Sequence, residues 1–204
     1  MSGLDLLINK LKMQGVLKSP MLELAFKSVD RKDFMLEDFQ DSAYEDHPFP
    51  IGYQQTISQP FTVVFMLELL DLREDNKILD IGSGSGWTAA LMAFIVSKTG
   101  SVTGVERVKE LVEFGKQNIK KYHFPHTKII KAKDSIGLEG ELFDRILVSA
   151  SAENFPKELL TQLDRGGKMV IPVGNSIFLF EKDFDGTVHK IEYPGFVFVP
   201  LIPA

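Results

Sequence analysis

The chain has no cysteine among its 204 residues. Disulfides, a thiol nucleophile and a cysteine-based zinc site are therefore excluded. Histidine, the other common metal ligand, is scarce and scattered: His47, His123, His126 and His189. His123 and His126 are three apart, but Phe124-Pro125 separates them and no acid stands nearby. A polar turn before a strand explains them, and no metal is expected. No stretch reaches the roughly 18 uncharged apolar residues of a membrane helix. The N-terminal run MSGLDLLINKLKMQGV carries charges throughout and lacks the layout of a secretion signal. Basic residues are outnumbered, 23 against 28 acidic, for a net charge of −5. That argues against a general nucleic-acid binder, which needs a basic face to neutralise phosphates. Lys120, Lys121, Lys128, Lys131 and Lys133 are close in sequence, but a solvated helix end and strand edge account for them. Repeats and low-complexity segments are absent. These readings predict a cytoplasmic protein with neither a nucleic-acid nor a membrane partner.

What is present suffices for one domain over residues 1–204: 44% of the chain is hydrophobic. Residues 1–60 read as helices followed by a long loop. Leu4, Leu7, Ile8 and Leu11 fall on one helix face. Ser19-Pro20 starts a second helix, with Pro20 in the tolerated first turn. Prolines 48, 50 and 60 and Gly52 then punctuate a loop-rich stretch. Residues 61–204 form the core. Pro60 opens a helix through Leu70, and from Asn76 the pattern alternates. Strands are predicted at 77–81, 101–105, 127–131, 143–149 and 167–173. Helices are predicted at 87–97, 107–121 and 156–163. Such alternation implies a parallel, doubly wound α/β sheet. Near the end, Ile177 to Glu181 and Val188 to Tyr193 flank Asp185-Gly186, a strong hairpin signal, so antiparallel strands close the sheet.

The most informative stretch is ILDIGSGSGWTAALMA, Ile78 to Ala93. Gly82, Gly84 and Gly86 sit where a strand meets a helix, and glycine allows a sharp turn and close ligand approach. Free amides there, backed by a helix N-terminus, suit an anionic group. The spacing is G-x-G-x-G, without the later glycine of dinucleotide folds or the Lys-Ser/Thr of a P-loop. The form D-x-G-x-G-x-G resembles the first motif of S-adenosylmethionine methyltransferases. Glu106 lies 20 residues past Gly86, at the end of the next strand. An acid so placed accepts ribose hydroxyls in open α/β folds.

Tyr44 to Pro60, YEDHPFPIGYQQTISQP, is longer than most loops and rich in proline. On its own, Ser58 reads as an N-cap-type residue before the Pro60 helix. The run P-x-P-I-G-x-x-Q-T-I-S-Q-P, however, resembles the substrate loop of protein-L-isoaspartate O-methyltransferases. The likeness continues in order through VERVKELVEFGKQNI (105–119), FDRILVSASAENFPKELLTQLDRGGKMVIPVG (143–174) and FVFVPL (196–201), the last matching the family's final strand.

That resemblance implies a Rossmann-like, mostly parallel sheet with an N-terminal helical extension. It implies methyl transfer from S-adenosylmethionine, leaving S-adenosylhomocysteine, to the α-carboxylate of isoaspartyl residues in damaged proteins. Residues 1–60 would then hold the helices and the substrate loop. Ser58 corresponds to the active-site serine. Gln55, Thr56 and Ile57 would lie along the cofactor, with Gly82, Ser83, Gly84 and Ser85 as its glycine loop. Glu106 would hold the ribose, with Arg107 beside the adenosine and Asp134 and Ser135 at the adenine. Pro50, Ile51, Ser58 and Val199 would face the substrate, and the chain would act as a monomer.

There are departures from the pattern. The family has glycine where Gln54 stands, and its G-D-G adenine motif is Lys133-Asp134-Ser135 here. His47 reads as a surface residue, and Trp87 as core or as a support beneath the adenosine. Two other functions remain open at this point: a methyltransferase of another acceptor, and a cofactor-binding module without catalysis.

Overall fold

The computed structural model describes residues 2–202. Two helices lead: α1 (Gly3–Met13) and α2 (Pro20–Ser28). Ser2 and Asp5 close α1 as a capping box: the Asp5 amide donates to Ser2 Oγ at 3.2 Å and the Ser2 amide to Asp5 Oδ2 at 2.9 Å. Ser19 caps α2, with Pro20 in its first turn. Two short 3₁₀ turns, Arg31–Phe34 and Glu37–Ser42, follow.

The stretch read as loop then holds a small hairpin. Strands β1 (Phe49–Gly52) and β2 (Gln55–Ile57) pair antiparallel, and α3 (Pro60–Leu70) starts three residues later. The core alternates from there: β3 (Lys77–Ile81), α4 (Trp87–Val96), β4 (Ser101–Glu106), α5 (Lys109–Lys120), β5 (Thr127–Lys131), β6 (Phe143–Val148), α6 (Leu159–Gln162), β7 (Leu163–Val173), β8 (Ser176–Lys182) and β9 (Val188–Pro194). These seven strands form one sheet in the order β5-β4-β3-β6-β7-β8-β9. β3 to β7 run parallel to their neighbours, and β8 and β9 add antiparallel. The strand order reverses between β3 and β6, the switch point at which such sheets bind ligands beyond their carboxyl ends.

Side-chain alternation divides the core in two. Ile78, Val102, Leu147 and Val170 face α3, α4 and α5 and merge with the apolar side of α1 and α2. Leu79, Ile81, Ile146, Val148, Met169 and Ile171 face the other way. There the only helix among the described residues is the single turn α6, helped by loop residues such as Ile136, Leu138 and Phe155. The predicted helix 156–163 is therefore mostly absent: Leu163 pairs with Phe143 instead and begins a β7 longer than predicted.

The expected last strand at 196–201 does not form either. Ser151 N donates to the Val199 carbonyl at 2.8 Å and Leu201 N to the Ser151 carbonyl at 2.7 Å, and pairing stops there. Gly195 turns the chain at φ +97°, and Pro200 has no amide to donate.

Candidate functional site

A cleft of about 980 Å³, counted to its open mouth, lies beyond the carboxyl ends of β3, β4 and β6. The β1–β2 hairpin and the chain end around Val199 close its rim.

Its floor is the glycine loop. Gly82, Gly84 and Gly86 all have positive φ, at +79°, +51° and +88°. At Gly86 a Cβ would also press against the Gly115 backbone of α5 at 3.2 Å, so glycine is required twice over. Asn118 of α5 steadies the loop by donating to the Ser85 carbonyl at 3.0 Å. The expectation of free amides needs correction. Gly82 and Ser83 amides donate to the Val105 carbonyl, Gly86 to Ser83, and Gly84 to the Glu106 carboxylate. With four of its five amides engaged, the loop is no phosphate cradle. An anionic group is left with the Ser85 amide and those at the start of α4, where Trp87 and Thr88 line the cleft.

Glu106 is buried at the end of β4 and held rigidly. Its Oε2 accepts from Gly84 N at 3.0 Å and its Oε1 from Val108 N at 2.8 Å. Each oxygen retains acceptor capacity, a ready partner for a diol. Asp80 lies beneath the cleft, fully buried. Its Oδ2 accepts from Thr88 Oγ1 at 2.8 Å, while Oδ1 makes no well-formed hydrogen bond among the described residues. Burial pushes its carboxyl up to about 7, and nearby Glu106 adds to the rise. The Thr88 and Ser149 hydroxyls pull the other way.

Ser58 lines the cleft. It is not the cap of α3: Gln59 holds that position and makes no side-chain capping bond. The Ser58 carbonyl accepts from Arg31 Nη2 at 3.0 Å. The buried Arg31 guanidinium also donates to the carbonyls of Ala43, Glu45 and His47. It lies over the rings of Trp87 and Phe49, 5.3 and 5.5 Å from their centroids. Trp87 fits both readings given to it, since it packs edge-on against Phe26 and also lines the cleft.

Most of the residues singled out in sequence meet here. Gln55, Thr56, Ile57 and Ser58 line one side with Ile51 and Val199. Gly82 to Ser85 line the floor, and Glu106, Arg107 and Ser135 the far side. Asp134 and Pro50 do not: both are exposed and neither lines the cleft. Lys133, Ser135 and Ile136 front it where Asp134 was expected. His47 likewise stays outside. Asp80 and Thr88 carried no assigned role, although both lie in or beside the glycine motif. Spacing alone does not reveal which carboxylate is dry. No cluster of three or more His, Asp or Glu suited to a metal occurs among the described residues. None of their helices is long and apolar enough to cross a membrane.

The residues suit a nucleoside cofactor with an amino-acid tail: a preset diol acceptor, a helix start open to a carboxylate, and a floor unfit for pyrophosphate. Comparison with known proteins agrees. The family model for protein-L-isoaspartate(D-aspartate) O-methyltransferase matches residues 3–204. A protein-L-isoaspartate O-methyltransferase of Methanopyrus kandleri is 43% identical over 202 residues, covering 96% of this chain and 89% of that one. Protein-L-isoaspartate O-methyltransferase 1 of Archaeoglobus fulgidus is 46% identical over 179 residues, covering 87% and 83%. In structure, a Plasmodium falciparum chain assigned as a protein-L-isoaspartate O-methyltransferase, in complex with S-adenosyl-L-homocysteine, superposes with a TM-score of 0.84. It is 30% identical, and the match covers 96% of both chains.

Proposed function

This chain belongs to the protein-L-isoaspartate(D-aspartate) O-methyltransferase family, and from that membership we propose how its cleft serves the reaction. It is a carboxyl O-methyltransferase that uses S-adenosylmethionine and acts on isoaspartyl residues of proteins. The two other functions considered, another acceptor or binding without catalysis, give way to this one.

The cofactor, when bound, supplies an electrophilic methyl on a sulfonium. A substrate carboxylate oxygen forms the new C–O bond as the C–S bond breaks, and the sulfur keeps the electron pair. A carboxylate is ionised at neutral pH, so no proton moves and no general base is needed. The work left to the protein is alignment and exclusion of water.

In our reading Glu106 takes the ribose hydroxyls, and the start of α4 takes the carboxylate of the methionine part. Ser58 donates a hydrogen bond to the substrate oxygen that does not attack, while Ile51, Ile57 and Val199 keep that side dry. Arg107 and Ser135 border the adenosine. Asp134 and Pro50 stand outside the cleft lining, which speaks against a direct contact from either. We read residues 1–204 as one domain, with the N-terminal helices and the substrate loop in 1–60 and the Rossmann-like core in 61–204. The shared core of α1, α2 and α3 to α5 supports this. A monomeric, cytoplasmic protein without nucleic-acid or membrane partners completes the proposal; of these, only the absence of a nucleic-acid partner draws support from the net charge of −5.

The observation that carries the assignment of Ser58 is its place on the cleft wall without a capping duty. The test is methyl transfer from labelled S-adenosylmethionine to a synthetic isoaspartyl peptide, with the aspartyl peptide as control. Ser58→Ala should lower turnover roughly tenfold to a thousandfold, the cost of one orienting donor. Cofactor affinity and melting temperature should hardly change. Normal turnover in Ser58→Ala would remove Ser58 from the reaction.

A further inference from the structure

The cleft's wall beyond β5 is an irregular segment. Between β5 and β6 the chain forms no helix or strand, yet Ser135, Ile136 and Gly137 line the cleft. The Ala132 amide donates to the Glu106 carbonyl at 2.9 Å, which ties the segment's start to the diol acceptor. A base attached to a ribose held by Glu106 would therefore abut this segment. Something must hold it in place, and its own backbone does little of that work.

Gln162 does hold it. This residue ends α6 and is buried at 2% exposure. Its Nε2 donates to the Ile136 carbonyl at 2.9 Å, and its Oε1 accepts from Leu138 N at 2.7 Å. The carboxamide thus pairs with the segment as a neighbouring strand would, one bond on each side of Gly137. Gly137 has φ +79°, and a Cβ there would collide with Gln162 Oε1. The pairing therefore needs both a glycine in the loop and an uncharged amide opposite it. A carboxylate could not donate, and an aliphatic side chain would leave a buried carbonyl and amide without partners.

We propose that Gln162 is a positioning residue for the cofactor: it holds Ile136–Leu138 as the wall against which the adenine base rests. This rests on the cofactor reading above. The residue touches neither substrate nor reacting atoms, so its effect belongs to cofactor affinity and not to the methyl-transfer step.

Calorimetry with S-adenosylhomocysteine and with adenosine, beside steady-state kinetics, tests this on the full chain. In Gln162→Met both dissociation constants should rise tenfold or more, and by the same factor, since the loss falls at the base. The KM for S-adenosylmethionine should rise in parallel. At saturating cofactor, kcat and the KM for an isoaspartyl peptide should stay within twofold of the parent. Gln162→Glu provides a second variant. Its neutral carboxyl can make both bonds, so S-adenosylhomocysteine affinity should recover as pH falls from 8 to 5, beyond any change in the parent. Unchanged affinity in Gln162→Met overturns the proposal. So does a loss spread equally over kcat and peptide KM, which marks a merely structural residue. If Gln162→Met does not fold, a Gln162→Glu protein with parental affinity at pH 8 overturns it just as well. A parent that binds no S-adenosylhomocysteine would instead defeat the cofactor reading itself.

Discussion

At the scale of single residues, Asp80 has the most unusual environment. It is fully buried, with one oxygen bonded to Thr88 and the other, near the Ser149 hydroxyl, without a well-formed hydrogen bond among the described residues. Its carboxyl is pushed up to about 7, first by burial and then by Glu106. The native state therefore binds this proton more tightly than the unfolded chain, where an aspartate titrates near 4. The stabilisation linked to the proton is complete below about pH 4 and is lost as pH rises through about 7. Asp80→Asn keeps the shape and removes the titration. Melting curves from pH 5 to 8 should show the parent losing stability with rising pH relative to Asp80→Asn, on the order of a few kcal/mol across the range. Parallel curves would mean that Asp80 does not titrate there. The sequence shows Asp80 as part of D-x-G-x-G-x-G, yet burial, the source of the shift, comes from strands on both sides of β3. The place of Glu106 at the cleft was legible because it follows from a distance along the chain. Gln162 was not, because its partners stand 24 and 26 residues away across a loop.

At the scale of elements, the sheet was legible and the hairpin at the cleft was not. β3 and β5 coincide with their predicted limits, and β4 and β6 fall within a residue of theirs. Long apolar runs and glycine or proline breaks announce such strands. β1 and β2 are only four and three residues long, with Pro50 inside, and their turn is Tyr53-Gln54 rather than a glycine pair. Both turn residues are left-handed, at φ 53° and 58°. That is the pattern of a tight two-residue hairpin turn, which favours Asn and Gly. A left-handed residue with a side chain costs about 1–2 kcal/mol. Glycine gives back about 0.5–1 kcal/mol of that through unfolded-state entropy. Gln54→Gly should therefore stabilise the protein by up to about 1 kcal/mol, or roughly 2–4 °C. Gln54→Val should act in the opposite direction. Thermal unfolding checks both, and a lower melting temperature in Gln54→Gly would show that the Gln54 side chain makes a contact worth more than its strain. The failed C-terminal strand teaches the converse lesson: FVFVPL has strand-like residues, but pairing needs an available edge, and Ser151 offers only two bonds.

At the scale of the whole molecule, the hairpin side of the cleft depends on one buried cation. Arg31 donates from Nη1 and Nη2 to four carbonyls, three from Ala43 to His47 and one at Ser58, at 2.7 to 3.1 Å. It thereby ties the segment before the hairpin to the residue after it, while its flat face rests on Trp87 of the cleft. The glycine-loop side of the cleft has its own supports in Glu106, Asn118 and Gln162. Damage at Arg31 should thus spread unequally. Lysine keeps the charge but has three donors in a compact head and no planar fork. Arg31→Lys should lower stability by roughly 1–3 kcal/mol, the range for a disrupted buried polar network. Arg31→Met, which leaves the carbonyls without donors, should cost more. In folded Arg31→Lys, kcat/KM for an isoaspartyl peptide should fall about tenfold as Ser58 loses its anchor. S-adenosylhomocysteine affinity should stay near the parental value, because Glu106, Asn118 and Gln162 keep their own partners. Peptide kinetics and cofactor calorimetry on one preparation decide the matter. Equal losses in both would mean that Arg31 supports the fold as a whole, and parental kinetics in a destabilised protein would free the reaction from this anchor altogether.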